Sequence, residues 1–509
     1  MCLFSGLGAI GLVGPDEPRY AAIARAMAET NDWITPRLWG APWFEKPVLY
    51  YWMAGIAMRL FGVSEFAARL PSALAALLAV AAVKWTALRS YGLGAAWYSL
   101  LMLPTSVAMI GFSRAASPDM LFAGLLTAAM AVAVEMLLKP RPGPILRIAF
   151  GFFLGAAVLA KGPAAVILAG GATLLWAALS RQWLAPFRFL HPVIIAVFCA
   201  TALPWYVLCA LHNPDFVRVF IWQHNFERYL TPIFQHRQPF WFYAPIIAVA
   251  TMPWIGMLSG LAGVKWDKKE YLNSPSLLVF CWALFPFLFF SFSQSKLPGY
   301  ILPSLPPLFL LMSRGAGRMF VANPRVAALV VGVTGAIFVI PLALEKVLIR
   351  MGSTVNVSQS RFLVLLIAAG IGGLATVGLC LLRKAMHGLA LISLVVAVLL
   401  AIMNVAILPS ADSFLSTRSA SRECFQLNPS GQNVMVFSLP RDLNYGVDYY
   451  FGRELAEWSP SAPLPEWLFT NKEEAVLFER RGVQFQVENW VGEPRTLLIH
   501  VLPPLRKSP

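Results

Sequence analysis

The chain has 509 residues, of which 58% are hydrophobic and 13% charged, and its mean hydropathy is +0.66. Soluble globular proteins carry about 25% charged residues, so soluble and disordered readings are excluded. The net charge of +15 would suggest nucleic acid in a soluble protein, but in a membrane protein it belongs to basic cytoplasmic loops, and no nucleic-acid partner is expected.

The chain opens with an apolar run, 1–13, that is shorter than the roughly 20 residues a membrane span needs. It is expected to form a partial helix, or to mark a start downstream of a first span. Residues 15–66 read as a first outer loop with two helices lying in the membrane interface. The first, 18–29, sets Tyr20, Ile23, Ala24 and Met27 on one face; the second, 46–61, is rich in aromatics.

Twelve continuous apolar segments follow, near 67–88, 93–112, 119–138, 147–160, 163–180, 191–211, 241–262, 274–293, 299–313, 326–345, 362–382 and 388–408. Continuous runs exclude an outer-membrane barrel, whose strands alternate. The connections expected inside each carry at least two basic residues, among them Lys84 and Arg89, Arg181 and Arg188, Lys265, Lys268 and Lys269, and Arg383 and Lys384. The short outer connections carry one each: Arg114, Lys161 and Lys296. The positive-inside rule therefore puts 15–66 and the C-terminal segment outside. Residues 410–509 are more charged, with short β-like runs at 434–439, 445–451, 475–478, 483–487 and 496–502. They predict a small soluble α/β or mostly β domain. The six cysteines have neither metal nor redox spacing.

Six polar clusters fall on the outer face. Asp16 and Glu17 leave the first apolar run, with Arg19 and Tyr20 behind them. Such acids are either helix-start partners or carboxylates able to act as general base. Glu45 and Lys46 sit among aromatics and prolines, as an interfacial anchor with a snorkelling lysine or with Lys46 as the cation for a lipid phosphate. Asp119 starts a span, as a cap or as a second acid of the same cavity. Lys161 interrupts an apolar stretch, as a turn residue or as a functional cation at membrane depth. His224 and Arg228 share a helical face in a long outer loop, 212–239, and Lys296 and Tyr300 flank a Pro/Gly bend. A transporter would gather such residues at mid-membrane on broken helices. Gathering at one surface suits an enzyme acting on lipid-carried substrates.

Asp-Glu-Pro-Arg-Tyr at 16–20, Phe-Glu-Lys-Pro at 44–47, the 113–119 turn, Ala-Lys-Gly-Pro at 160–163, His224 with Arg228, and Ser-Lys-Leu-Pro-Gly-Tyr at 295–300 occur in this order. Together they resemble the bacterial aminoarabinose (4-amino-4-deoxy-L-arabinose) transferases of the protein mannosyltransferase-like superfamily. The resemblance covers about 15–410. It implies an all-α polytopic GT-C fold of 12–13 transmembrane helices over 1–409, with a soluble domain over 410–509 on the periplasmic side of a bacterial inner membrane. It implies an inverting glycosyltransferase that takes a sugar from a polyprenyl-phosphate donor, undecaprenyl phosphate in bacteria, to lipid A or another glycolipid. On that resemblance Asp16 is the catalytic acid, with Glu17 its neighbour and Asp119 a second acid. Lys46 and Arg228 hold the carrier phosphate, with Arg19, Tyr20, Lys161, Lys296 and Tyr300 beside the substrate. Glu45 and His224 match positions that can hold a divalent metal, zinc first. The chain departs from the family in the short run before Asp16 and in having Pro18 where many members have a small residue. A protein acceptor, or a lipid or solute transporter, are the competing expectations.

Overall fold

The computed structural model describes residues 2–139, 141–227, 238–262, 275–347, 357–480, 483–488 and 495–502. Each of the twelve apolar segments is helical. Among the described residues, eight helices are long and apolar enough to cross a bilayer, from Glu65–Tyr91 to Ala385–Leu415. Two segments are bent pairs, Leu93–Thr105 with Val107–Ser113 (58°) and Phe240–Ala250 with Trp254–Leu261 (112°). Ala164–Ser180 is a shorter apolar helix, and at 298–322 a tight turn, Pro298–Ser304, runs into Leu305–Ala322. The two segments that look short in sequence are extended at their ends, 147–160 into Pro144–Lys161 and 299–313 as far as Ala322. The basic loop residues Lys265, Lys268 and Lys269 lie outside the described residues.

Each bend follows a proline, Pro104 or Pro253, which cannot donate to the preceding turn. The breaks repair one another. Val107 N–H donates to Met252 O (2.9 Å), and Trp254 Nε1 donates to Thr105 Oγ1 (3.0 Å). Freed backbone groups at membrane depth need such partners. Elsewhere small residues let helices approach closely. A Cβ on Gly124 would stand 2.4 Å from Ala75 O, so only glycine fits there.

The first outer loop contains helices Asp16–Thr30 and Leu49–Phe61, joined through a two-stranded ribbon, Arg37–Leu38 with Ala41–Pro42. Residues 2–10 form turns, not the expected partial helix. Their backbone is held by buried side chains instead. Arg69 donates to Leu7 O, Ile10 O and Gly11 O at 2.7–2.8 Å and to both oxygens of Glu17. All five of its N–H groups are thereby used. Glu17 accepts in addition from Val13 N and Ala116 N. One buried ion pair therefore ties the N-terminal segment, the first interfacial helix, the first long span and the 113–117 turn.

The last apolar run reaches Leu415, and a four-stranded sheet follows in the order 434–436, 467–470, 497–501, 485–487. The first two strands are parallel and the other pairs antiparallel. Three expected strands match this sheet. Two do not: 445–451 belongs to helix Arg441–Phe451, and 475–478 to helix Lys472–Arg480. The first is bounded by Pro440 and by Gly452 in the left-handed conformation, and it buries Leu443, Gly446 and Val447 on one face. The second starts where Asn471 Oδ1 accepts from Glu474 N. Strand Trp467–Thr470 has no forerunner among the runs expected from sequence. The C-terminal layer grips the N-terminal segment: Arg418 donates to Gly8 O and Ala9 O, Leu12 N–H donates to the Tyr450 hydroxyl, and that hydroxyl donates to Glu65 Oε1.

Removing one partner of a buried ion pair costs about 3–5 kcal/mol. Arg69→Leu should therefore lower the thermal unfolding temperature of the purified protein sharply. An unchanged midpoint would show that the pair does not hold this end together. A second expectation concerns Asp448 in the C-terminal layer. Burial pushes its carboxyl up to about 7, helped by Glu454 and opposed by a hydrogen bond from Leu455 N–H. The folded state holds the proton more tightly than the unfolded chain, whose carboxyl titrates near 3.9. This contribution is fully present below about pH 4 and is lost as pH rises to about 7, by up to roughly 4 kcal/mol. Asp448→Asn should flatten the fall in C-terminal unfolding temperature between pH 4 and 7; a fall as steep as in wild type would rule the assignment out.

Candidate functional site

A cavity of about 860 Å³ opens where helix Asp16–Thr30 begins. The helix contributes Asp16, Arg19 and Tyr20. The chain leaving the ribbon contributes Trp43, Glu45 and Lys46. The first turn of Pro118–Leu138 brings Asp119, the last turn of Pro144–Lys161 brings Lys161, and the 297–300 turn brings Tyr300. The ends of separate helices thus converge on one space, and eight of the side chains singled out in the sequence line it.

Their charges run in two chains. Arg19 Nη2 stands 2.5 Å from Asp16 Oδ1 and 3.1 Å from Glu45 Oε2, and Lys46 Nζ lies 3.5 Å from Glu45 Oε1. Asp16 and Arg19 are three apart on a helix and share a face. Burial opposes the charge on Arg19, but Tyr20, Glu45 and Asp16 outweigh it and hold the guanidinium above its ordinary value. Arg19 is buried beneath the rings of Tyr20 and Trp43 (5.0 and 5.5 Å), whereas the Asp16 side chain is 56% exposed to the cavity. Arg19 Nε and Trp43 Nε1 are buried without a hydrogen-bond partner among the described residues. In the second chain Lys161 donates to Asp119 Oδ1 and lies over the Tyr300 ring at 4.9 Å.

Two candidates fall elsewhere. Glu17 does not line the cavity, because both its oxygens are occupied by Arg69 and by backbone N–H groups. It positions the helix rather than meeting substrate. Lys296 does not line it either: its ammonium donates to Ser293 O (2.7 Å) in its own loop and to Gln238 O (3.0 Å) at the end of the 212–239 loop. Its role is to fix the turn that carries Gly299 and Tyr300. A Cβ on Gly299 would sit 3.0 Å from Asp119 Oδ2, so the glycine lets that turn close on the acid. Arg228 lies outside the described residues, and so does the side chain of His224.

Glu45 is one half of the metal pair that the resemblance implies. Its oxygens face Arg19 and Lys46, and among the described residues no three His, Cys, Asp or Glu side chains come together. In this arrangement Glu45 is a partner of cations, and the His224 side chain of the expected pair lies outside the described residues.

The sequence reading missed Asp215 and Arg218, an ion pair at 3.1 Å on the cavity rim, and Arg441, which comes from the C-terminal layer. The first two have a signal, a three-residue spacing of opposite charges inside the loop already marked as long. Arg441 has none, because only the folded chain brings it across.

A family model described as dolichyl-phosphate-mannose-protein mannosyltransferase matches residues 9–220. An undecaprenyl phosphate-α-4-amino-4-deoxy-L-arabinose arabinosyl transferase of Edwardsiella ictaluri is 35% identical over 314 residues, 61% of this chain and 56% of that one. Its counterpart in Yersinia pestis is 32% identical over 344 residues, 66% and 61%. The chain thus matches little more than half the length of these curated relatives. Over the whole chain, the crystal structure of ArnT from Cupriavidus metallidurans bound to undecaprenyl phosphate superposes with a TM-score of 0.79 at 21% identity, covering 100% of this chain and 97% of that one. Its apo form gives 0.80 at 22% identity, covering 98% and 95%. The chain is thus similar in sequence to these transferases over 61–66% of its length, and its fold is that of the ArnT structures.

Proposed function

We propose that the chain is an inverting glycosyltransferase, moving a sugar from undecaprenyl phosphate to an acceptor on the periplasmic face of the bacterial inner membrane, lipid A or another glycolipid. The observation that carries this is the cavity itself, an exposed carboxylate, Asp16, beside the basic residues Arg19, Lys46 and Lys161. The names of the curated relatives and the undecaprenyl phosphate in the ArnT crystal support the donor.

The chemistry follows from the charges. An acceptor oxygen attacks the anomeric carbon as the bond from that carbon to the carrier phosphate breaks, so the centre inverts. The leaving phosphate gains negative charge, and cations fixed beforehand stabilise it without reorganising. Lys46 is the described cation for that task, and Arg228 the second expected one. If the acceptor is a hydroxyl, Asp16 takes its proton; an ionised phosphate acceptor needs no base. Lys161 and Asp119 shape the opposite wall. The mannosyltransferase match over 9–220 favours a second reading with a protein acceptor. The two differ in which fraction receives the label from a radiolabelled donor.

Asp16→Asn should insert and fold normally yet lose transfer by about 10²–10⁴, the usual weight of a general base, when acceptor hydroxyls are used. Undiminished transfer in membranes supplied with labelled donor would sink the assignment. Asp119 and Lys161 act as one unit, so Asp119→Asn and Lys161→Gln should each lower kcat/KM, and the double variant should lose far less than the two losses combined. Additive losses would mean that the two residues work separately.

A further inference from the structure

Helices Pro324–Ile337 and Gln359–Leu381 touch at Gly335 and Gly373, where a Cβ on Gly373 would stand 2.6 Å from Gly335 O. Away from that contact, toward Pro324 on one helix and Arg383 on the other, they enclose a groove of about 620 Å³. Its surfaces include Ala328, Gly332 and Cys380, with Leu329 and Leu381 exposed along its edges. The volume falls within the roughly 300–1,000 Å³ of small-molecule sites. Arg325 and Arg383 stand at one end. Both are exposed, and neither is in an ion pair among the described residues. The groove lies on the opposite membrane face from the Asp16 cavity, at the basic end where the positive-inside rule puts the cytoplasm.

We propose that this groove binds one anionic phospholipid, its acyl chain along Leu329, Gly332 and Leu381 and its phosphate between Arg325 and Arg383. The occupant follows from charge complementarity. An apolar slot alone would take any acyl chain, but two cations at its headgroup end select a negative headgroup over a zwitterionic one. Basic pockets between spans on the cytoplasmic side attract anionic lipids in this way. The groove contributes nothing to the Asp16 cavity, so the site would hold lipid whether or not sugar transfer is this chain's reaction.

Native mass spectrometry of the purified full-length protein, titrated separately with phosphatidylglycerol and phosphatidylethanolamine, tests the proposal. Wild type should retain one phosphatidylglycerol in preference to phosphatidylethanolamine. The double variant Arg325→Gln/Arg383→Gln should hold it about 30-fold more weakly, from the typical attraction of two membrane-surface cations. Arg325→Lys/Arg383→Lys should keep most of the binding. Gly332→Leu, which fills the groove, should lose the lipid with both arginines present. Equal retention of the two lipids by wild type, or unchanged phosphatidylglycerol binding in the double variant and in Gly332→Leu, would overturn the proposal. So would a dimer of the chain that excludes lipid from the groove. The wild-type comparison of the two lipids decides the matter even if the neutral variant does not fold.

Discussion

The buried pair of Glu17 with Arg69 is the constraint on which the outer end of the molecule depends. Two ions deep in a helical bundle are tolerated only when their hydrogen-bonding capacity is met. Here Arg69 spends all five donors and Glu17 accepts four hydrogen bonds. Satisfying them forces residues 7–13, the helix beginning at Asp16, the span Glu65–Tyr91 and the 113–117 turn to meet at one point. Adjacent residues on a helix project about 100° apart. Burying Glu17 on this pair therefore turns Asp16 out, onto the cavity wall. Two adjacent acids acquire opposite roles from a single geometric fact.

The same economy governs the cavity. Its lining includes Arg19, Lys46, Lys161, Arg218 and Arg441 against Asp16, Glu45, Asp119 and Asp215, a slight excess of positive charge. Charges near a membrane are costly unless paired, and the ion pairs Arg19–Asp16, Arg19–Glu45, Lys161–Asp119 and Arg218–Asp215 do that pairing. A site of balanced pairs with a small cationic surplus suits a ligand with one or two negative charges. Every one of these residues sits at a helix end or in a connecting loop, none in the middle of a span. That arrangement separates this cavity from the mid-membrane sites of transporters.

Much of this is legible in the sequence because a membrane reduces the problem to length and hydrophobicity. Continuous apolar runs have to be helices, and the loop cations give them a direction. Hydropathy and charge alone thus put Asp16, Lys46, Asp119 and Lys161 on one face. What sequence cannot supply is the direction of each side chain. Glu17 and Lys296 carry the same residue types as their catalytic-looking neighbours, and only packing turns one toward Arg69 and the other onto the carbonyls of Ser293 and Gln238. The C-terminal layer is less legible because short runs such as 445–451 fit a strand or a buried helix face equally well. Its caps at Pro440 and Gly452 decide the matter.

The C-terminal layer, read from sequence as a small soluble domain, is part of what aims the site. Arg418 and Tyr450 hold the backbone of residues 8, 9 and 12, and Arg69 holds the backbone of residues 7, 10 and 11. The segment leading into Asp16 is thus clasped from both sides by residues distant in sequence. Arg25 adds a third tie, donating to Tyr449 O from the helix that bears Asp16. With Arg441 on the cavity wall, the layer both braces the acid and faces the space where it works. An irregular segment with no helix of its own can then have a defined position, because its carbonyls are satisfied by side chains instead of by a helical ladder. Residues 7–12 are thereby a strap, held by Arg69, Arg418 and Tyr450, that sets where the helix bearing Asp16 begins.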